Sequence, residues 1–336
     1  MDSLSQIALG AAVGVAVMGR RTAVWKAAAW GAVAGTLPDL DVLVDHGDPV
    51  RNMVLHRAES HALFWLTLAS APLAALAVRV HGEAPQWRRW WLALWLALVT
   101  HPLLDAMTVY GTRLALPFSE HPYAVGSVFI IDPLYTLPLL AGVGLALARR
   151  ADRRGLAANA AGLVLSTAYL GWGATVQQHV QQVARASLAA QGVRPDAVLA
   201  TPSAFNTVLW RVVALEGDRY HEGFYSLFDS EPRIAFDRFE RGTALWPQVA
   251  GVEAVQRLAA FSRGFFKLAA VDGQVRISDL RMGQEPHYVF SFVVAEQHSP
   301  LVPVVPSVEV GSRPPLDAAL PWLWRRLRGE AVAAPR

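Results

Sequence analysis

Residues 90–105 read WWLALWLALVTHPLLD: an uncharged apolar run that ends in His101 and Asp105. Four residues apart, these two side chains share one face of a helix. Ionisable groups in so apolar a segment are costly and call for a partner or a function. Five further apolar segments flank this one, over residues 4–19, 24–37, 62–78, 127–148 and 156–176. Since about 20 residues cross roughly 30 Å of hydrocarbon, the last four of the six read as spans. The first two are short and Gly/Ala-rich and read as a tightly packed pair or a re-entrant hairpin. The expectation is a mainly α chain: a polytopic helical membrane domain of about six segments over residues 1–180, then a small α+β extramembrane domain over residues 181–336.

Composition agrees with two regions of different solvent. Of 336 residues, 53% are hydrophobic and 17% charged, with a mean hydropathy of +0.29, against roughly 45–50% and about 25% in ordinary soluble domains. No cysteine is present, which excludes disulfides, thiolate nucleophiles and Cys-ligated zinc. The net charge of +3 does not point to nucleic acid, because the arginines sit beside apolar runs and form no basic stripe interleaved with aromatics. The N-terminal run lacks a basic flank and continues into a second apolar segment, unlike a signal peptide. Ten basic residues lie in the first, third and fifth connections (Arg20, Arg21, Lys26; Arg79, Arg88, Arg89; Arg149, Arg150, Arg153, Arg154), against Arg51, Arg57 and Arg113 in the second and fourth. With six spans, the rule that basic loops stay inside puts both termini, residues 38–60 and residues 109–126 outside.

Beyond Val180 the pattern turns to alternation. Residues 207–215, 220–228, 265–271, 274–280 and 288–295 read as strands, with Asp272-Gly273 a hairpin turn, and residues 249–261 read as a helix. The basic tail, with Trp322 and Trp324 beside Arg325 and Arg326, suits a membrane surface and equally a frayed end.

The chemistry-bearing residues share the side called outside by a count that uses none of the acids or histidines. Asp39 and Asp41 follow the second segment, His56 and His61 precede the third, His101 and Asp105 end the fourth, and Asp132 opens the fifth. Ser60 reads as the N-cap of the third. These seven side chains make an oxygen-and-imidazole set large enough for two divalent ions of the zinc, manganese or iron type. Asp132-Pro133 also reads as a plain helix start, and Asp45, His46 and Asp48 read as loop residues.

The order Asp2-x-x-x-Gln6, Pro38-Asp39-Leu40-Asp41, His56-Arg57-x-x-x-His61, Thr100-His101-Pro102-x-x-Asp105, Tyr110-Gly111-Thr112 and Ile131-Asp132-Pro133-Leu134-Tyr135 resembles the YdjM-type family of bacterial inner-membrane, metal-dependent hydrolases. The resemblance covers residues 1–140, with 210–229 similar to longer members. It implies metal ligation at Asp39, Asp41, His56, His61, His101, Asp105 and Asp132, and a remote likeness to zinc-dependent phospholipases C and nucleases. The chain departs from the family pattern by carrying Ala58 and Ala62 where a glycine and a serine are usual.

The leading expectation is therefore a hydrolase of the bacterial inner membrane that uses one or two divalent ions, zinc first, to activate water against an ester or phosphoester in a lipid or lipid-linked substrate. Arg57 is the candidate for pairing with an anionic phosphate, and Glu59 is a candidate general base. Two rivals stand beside it: an ion- or proton-coupled transporter, and a scaffold stapled by a structural metal with the outer domain as an interaction module.

Overall fold

The apolar half forms helices whose lengths follow their own stop signals. In the computed structural model, which describes all residues 1–336, they are α1 (Ser3–Met18), α2 (Val24–Thr36), α3 (Pro49–Leu55), α4 (Leu63–His81), α5 (Trp87–Ala106), α6 (Pro133–Ala148) and α7 (Arg153–Ala190). Short 3-10 turns cover Leu37–Leu43 and Glu59–His61. The chain divides into two units, one of residues 1–43 and 56–174, the other of residues 44–55 and 175–336, with α7 contributing to both.

Expectation and structure part at the six-span domain. Only α4, 19 residues long, is both long and apolar enough to cross a membrane. Helices α1 and α6 stop at 16 residues and α2 at 13, short of the roughly 20 that a span needs. Residues 127–132 are irregular, so α6 begins only after Asp132. Helix α5 has the length, but Trp87-Arg88-Arg89 at one end and His101 and Asp105 at the other dilute its hydropathy. The sixth segment is part of a 38-residue helix that continues through Gln177, Gln178 and His179 into polar sequence. With one candidate span, the parity that placed both termini on one side no longer applies.

Within the helical unit, α5 is the central element. Trp90, Leu94 and Leu98 recur at four-residue intervals and are at most 1% exposed, and the same face continues to His101 and Asp105. Helix α5 packs on α1, α2 and α4. The tightest pair is α1 with α2, where glycines meet backbone to backbone: a Cβ on Gly10 would collide with the Gly31 carbonyl, and one on Gly31 with the Gly10 carbonyl. Their Gly/Ala richness thus serves close packing. Most of the apolar surface of α4 faces away from this core, with Phe64, Trp65, Leu68 and Leu76 all exposed.

The second unit holds two four-stranded antiparallel sheets and a small ladder, a β content larger than a minor appendage. Strands β1 (Ala197–Pro202), β2 (Leu209–Glu216), β3 (Arg219–Ser226) and β4 (Phe236–Glu240) pair in chain order. In the second sheet, β5 (Phe266–Val271) and β6 (Gln274–Asp279) join β9 (Ser291–Glu296) and β10 (Val302–Glu309), in the order β10-β9-β6-β5, while β7 (Gly283–Gln284) pairs with β8 (His287–Tyr288). Asp272 and Gly273 both take positive φ, 53° and 74°, and turn β5 into β6. Helices α8 (Trp246–Val249), α9 (Glu253–Phe261) and α10 (Leu316–Leu327) complete the unit. Residues 44–55 belong here: α3 packs on α9 and β10, and Arg51 Nη2 donates to both Glu253 oxygens at 2.8 Å.

Candidate metal centre

Four of the seven sequence candidates converge. Asp39, from the 3-10 turn after α2, His61, from the turn before α4, and His101 and Asp105, from the last turns of α5, present donor atoms that all lie within 4.8 Å of one another, a group that could hold a metal ion. The Nε2 atoms of His61 and His101 face each other at 3.1 Å. Asp39 Oδ1 is 3.4 Å from each, and Asp105 Oδ2 is 3.3 Å from His61 Nε2 and 3.2 Å from His101 Nε2. Donors about 2.05 Å from a central ion at the corners of a tetrahedron stand about 3.3 Å apart. The five distances, 3.1–3.4 Å, fit that edge.

The outer nitrogens are held by hydrogen bonds. His101 Nδ1 lies 2.6 Å from the carbonyl of Gly35, which can only accept, so Nδ1 carries the proton. That carbonyl is free because it falls in the last turn of α2, where the helix leaves its final acceptors unpaired. His61 Nδ1 lies 2.8 Å from Ser60 Oγ, whose own hydrogen goes to Asp41 Oδ2 at 2.6 Å, so Ser60 accepts from His61. Both rings therefore direct Nε2 toward one point, flanked by Asp39 Oδ1 and Asp105 Oδ2. A cation between the two Nε2 atoms would take both as ligands, and the outer hydrogen bonds hold the rings in place for it.

Asp105 is fully buried. Its Oδ1 takes the chain's first amino group and Gln6 Nε2 (3.1 Å), while its Oδ2, turned to the histidines, accepts no hydrogen bond. A buried carboxylate oxygen without a donor is expensive, and a metal ligand bond is the kind of contact that would satisfy it.

The other three candidates stand elsewhere. Asp41 and His56 lie beside the group: His56 Nδ1 is 2.8 Å from Asp41 Oδ1, and Asp41 Oδ2 accepts from Arg57 N (2.9 Å) and Ser60. Burial pushes the Asp41 carboxyl up, but these hydrogen bonds, led by His56, outweigh it and bring it down to about 2. Asp132 caps α6, with Oδ1 accepting from Leu134 N and Oδ2 from the Tyr169 hydroxyl. Ser60 does not cap α4, whose N-cap is Ala62; its hydroxyl links His61 to Asp41 instead. The loop acids keep local roles: Asp45 accepts from Gly47 N, and Asp48 caps α3 and accepts from Ser307 N.

Arg57 is 3% exposed, with a left-handed backbone at φ 65°. Its guanidinium lies 4.9 Å over the Tyr110 ring, Nη2 is 3.4 Å from Asp105 Oδ1, and Nε has no partner. Glu59 is exposed on the turn that carries His61. Missed from sequence were Gly35, whose contribution is a backbone carbonyl, and the bridging role of Ser60, whose one signal is its place next to a histidine.

A model of the family described as YdjM inner membrane protein matches residues 1–180. YfhP of Bacillus subtilis strain 168, described as uncharacterized, is 26% identical over 151 residues, which cover 43% of this chain and 46% of that protein. This chain thus matches less than half the length of that relative. No solved structure matches.

Proposed function

The chain belongs to the YdjM inner membrane protein family, and we propose that it is a membrane-bound hydrolase in which Asp39, His61, His101 and Asp105 hold one divalent ion, cutting an ester or phosphoester in a lipid or lipid-linked substrate. The observation that carries this reading is the pair of imidazole Nε2 atoms facing each other at 3.1 Å between two carboxylate oxygens. Imidazole with carboxylate suits zinc, and manganese or iron as well. Such an ion, when bound, lowers the pKa of a coordinated water toward neutrality and polarises the substrate oxygen. The entry side is that of Asp39, whose side chain is 22% exposed where those of His61, His101 and Asp105 are 0%.

The chain's own residues supply the rest. Arg57 Nε, held in a buried and left-handed position, offers a hydrogen bond to an anionic substrate oxygen. Glu59, on the solvent side of the same loop, takes the proton of the attacking water and delivers it to the leaving oxygen. On the 3-10 turn that bears Asp39 and Asp41, Leu40, Val42 and Leu43 are 54, 71 and 78% exposed. An apolar rim beside a charged centre favours an amphiphile, with its head at the ion and its chains on the rim.

The test is metal content by elemental mass spectrometry of detergent-purified protein, wild type beside a His101→Ala, Asp105→Ala double variant, with circular dichroism to show that both are folded. One equivalent in the wild type, lost in the variant together with hydrolysis of lipid phosphoesters, is the expected result. A His101→Ala protein that keeps its metal and its activity would overturn the assignment. One observation favours a second reading: four protein donors close a tetrahedron, as in structural sites. Water-proton relaxation of the manganese form separates the two, since only an open site exchanges a bound water.

A further inference from the structure

The last helix presents two faces, and only one is accounted for. On its inner face, Trp322 packs edge-on against Phe224 at 4.9 Å, Arg326 Nη2 donates to Asp229 Oδ2 (2.6 Å) and to the Phe224 carbonyl (2.9 Å), and Ser226 Oγ donates to the Leu327 carbonyl (2.5 Å). These contacts fix α10 to β3 and the loop after it, so the segment is no frayed end. On the other face, Leu316, Leu320 and Trp324 recur at four-residue intervals and are 71, 48 and 60% exposed. Such spacing makes one continuous stripe along a helix. Around it stand Arg313, Arg325 and Arg328 against Asp317 and Glu330, with Glu330 paired to both Arg325 and Arg328, and the Arg328 guanidinium lies 5.5 Å over the Trp324 ring.

We propose that this outer face of α10 lies on the surface of an anionic bilayer. Two leucines and a tryptophan along one stripe suit the acyl–headgroup boundary under a helix that lies flat, with an arginine over the tryptophan on the headgroup side, and Arg313, Arg325 and Arg328 outnumber Asp317 and Glu330, which complements anionic headgroups. A helix this short binds a membrane weakly by itself. In a member of an inner-membrane family the bilayer is always within reach, and tethering raises the effective concentration enough for a small stripe to dock. The proposal does not depend on the metal centre.

The absence of cysteine makes the test direct. Full-length Leu320→Cys and Ala318→Cys proteins, the latter on an exposed flank well away from the stripe, are labelled with an environment-sensitive fluorophore. Each is reconstituted in nanodiscs of phosphatidylcholine with or without phosphatidylglycerol. The label at 320 should shift to the blue and be quenched by doxyl-bearing lipid in the anionic discs, while the label at 318 stays water-like. In the 320-labelled protein, Arg313→Glu with Arg325→Glu should cut the quenching at least twofold. Water-like emission at both positions overturns the proposal. So does a blue shift at 320 that doxyl lipid leaves unquenched, which would mean that protein covers the stripe.

Discussion

Asp41 is the residue on which the loop around the centre hangs, although it donates nothing to the four-atom group. It accepts from His56, from the backbone of Arg57 and from Ser60, which in turn orients His61. Replacing it by Asn should leave all four donors present yet lower metal affinity about 10- to 100-fold, the usual cost of losing an orienting partner; competition with a chromogenic chelator measures it. The same contacts set a pH dependence. With the folded carboxyl at about 2, below the ordinary aspartate range, the ionised form is favoured in the native state. That contribution is present above pH 4 and lost as pH falls toward 2, on the order of 2 kcal/mol, so acid unfolding of the wild type should be steeper than that of Asp41→Asn. At Arg57, Lys keeps the charge but not the planar guanidinium, nor the Nε that lacks a partner. If Arg57 meets the substrate, Arg57→Lys should reduce kcat/KM by tenfold or more without changing metal content. These side chains were legible in the sequence as acids and histidines in short motifs. Their division into donors and supports was not, because Asp39 and Asp41 carry the same side chain two residues apart on one turn and only the path of the backbone separates their roles, and backbone carbonyls leave no mark in composition.

At the scale of elements, the sequence shows where helices lie better than what solvent they meet. Residues 4–19 and 24–37 read as apolar segments and do form α1 and α2, but their glycines serve contact between two backbones. Gly31→Ala would drive a methyl into the Gly10 carbonyl, and overpacking of this kind costs about 1–3 kcal/mol. Because α2 also carries the Gly35 carbonyl that holds His101, the variant should lose metal affinity as well as thermal stability. Gly144, in α6, has open space where a Cβ would go. Gly144→Ala should therefore raise stability by about 0.5–1 kcal/mol through helix propensity, with unchanged metal binding. A melting temperature lowered in both variants would show that the glycine contacts are not what distinguishes them. Alternation and the Asp-Gly turn marked β2, β3, β5, β6 and β9. Residues 44–55 gave no sign of their allegiance: α3 is joined to the β unit by Arg51 with Glu253 and by Asp48 with Ser307, pairings more than 200 residues apart that no local pattern encodes.

For the whole molecule, the cost of the centre decides where stability responds to metal. Asp105, His61, His101 and Arg57 are taken almost wholly out of water, and burying charged and polar groups without complete pairing works against folding. A cation that binds only the folded helical unit returns RT ln(1 + [L]/Kd), about 2.7 kcal/mol at a concentration 100 times Kd. The β unit has its own core, with Trp210, Tyr220, Tyr288 and Phe292 at most 1% exposed, and the His/Asp group lies outside it. Hydrogen exchange read by mass spectrometry resolves the two responses peptide by peptide. Adding zinc to chelator-stripped protein should slow exchange in residues 37–43, 59–61 and the last turns of α5, and leave β5 and β6 unchanged. In the His101→Ala, Asp105→Ala protein neither region should respond. Protection that rises equally in the helices and in β5 and β6 would mean that zinc acts on the chain generally, and the buried imidazole pair would then be a feature of packing rather than a place for an ion.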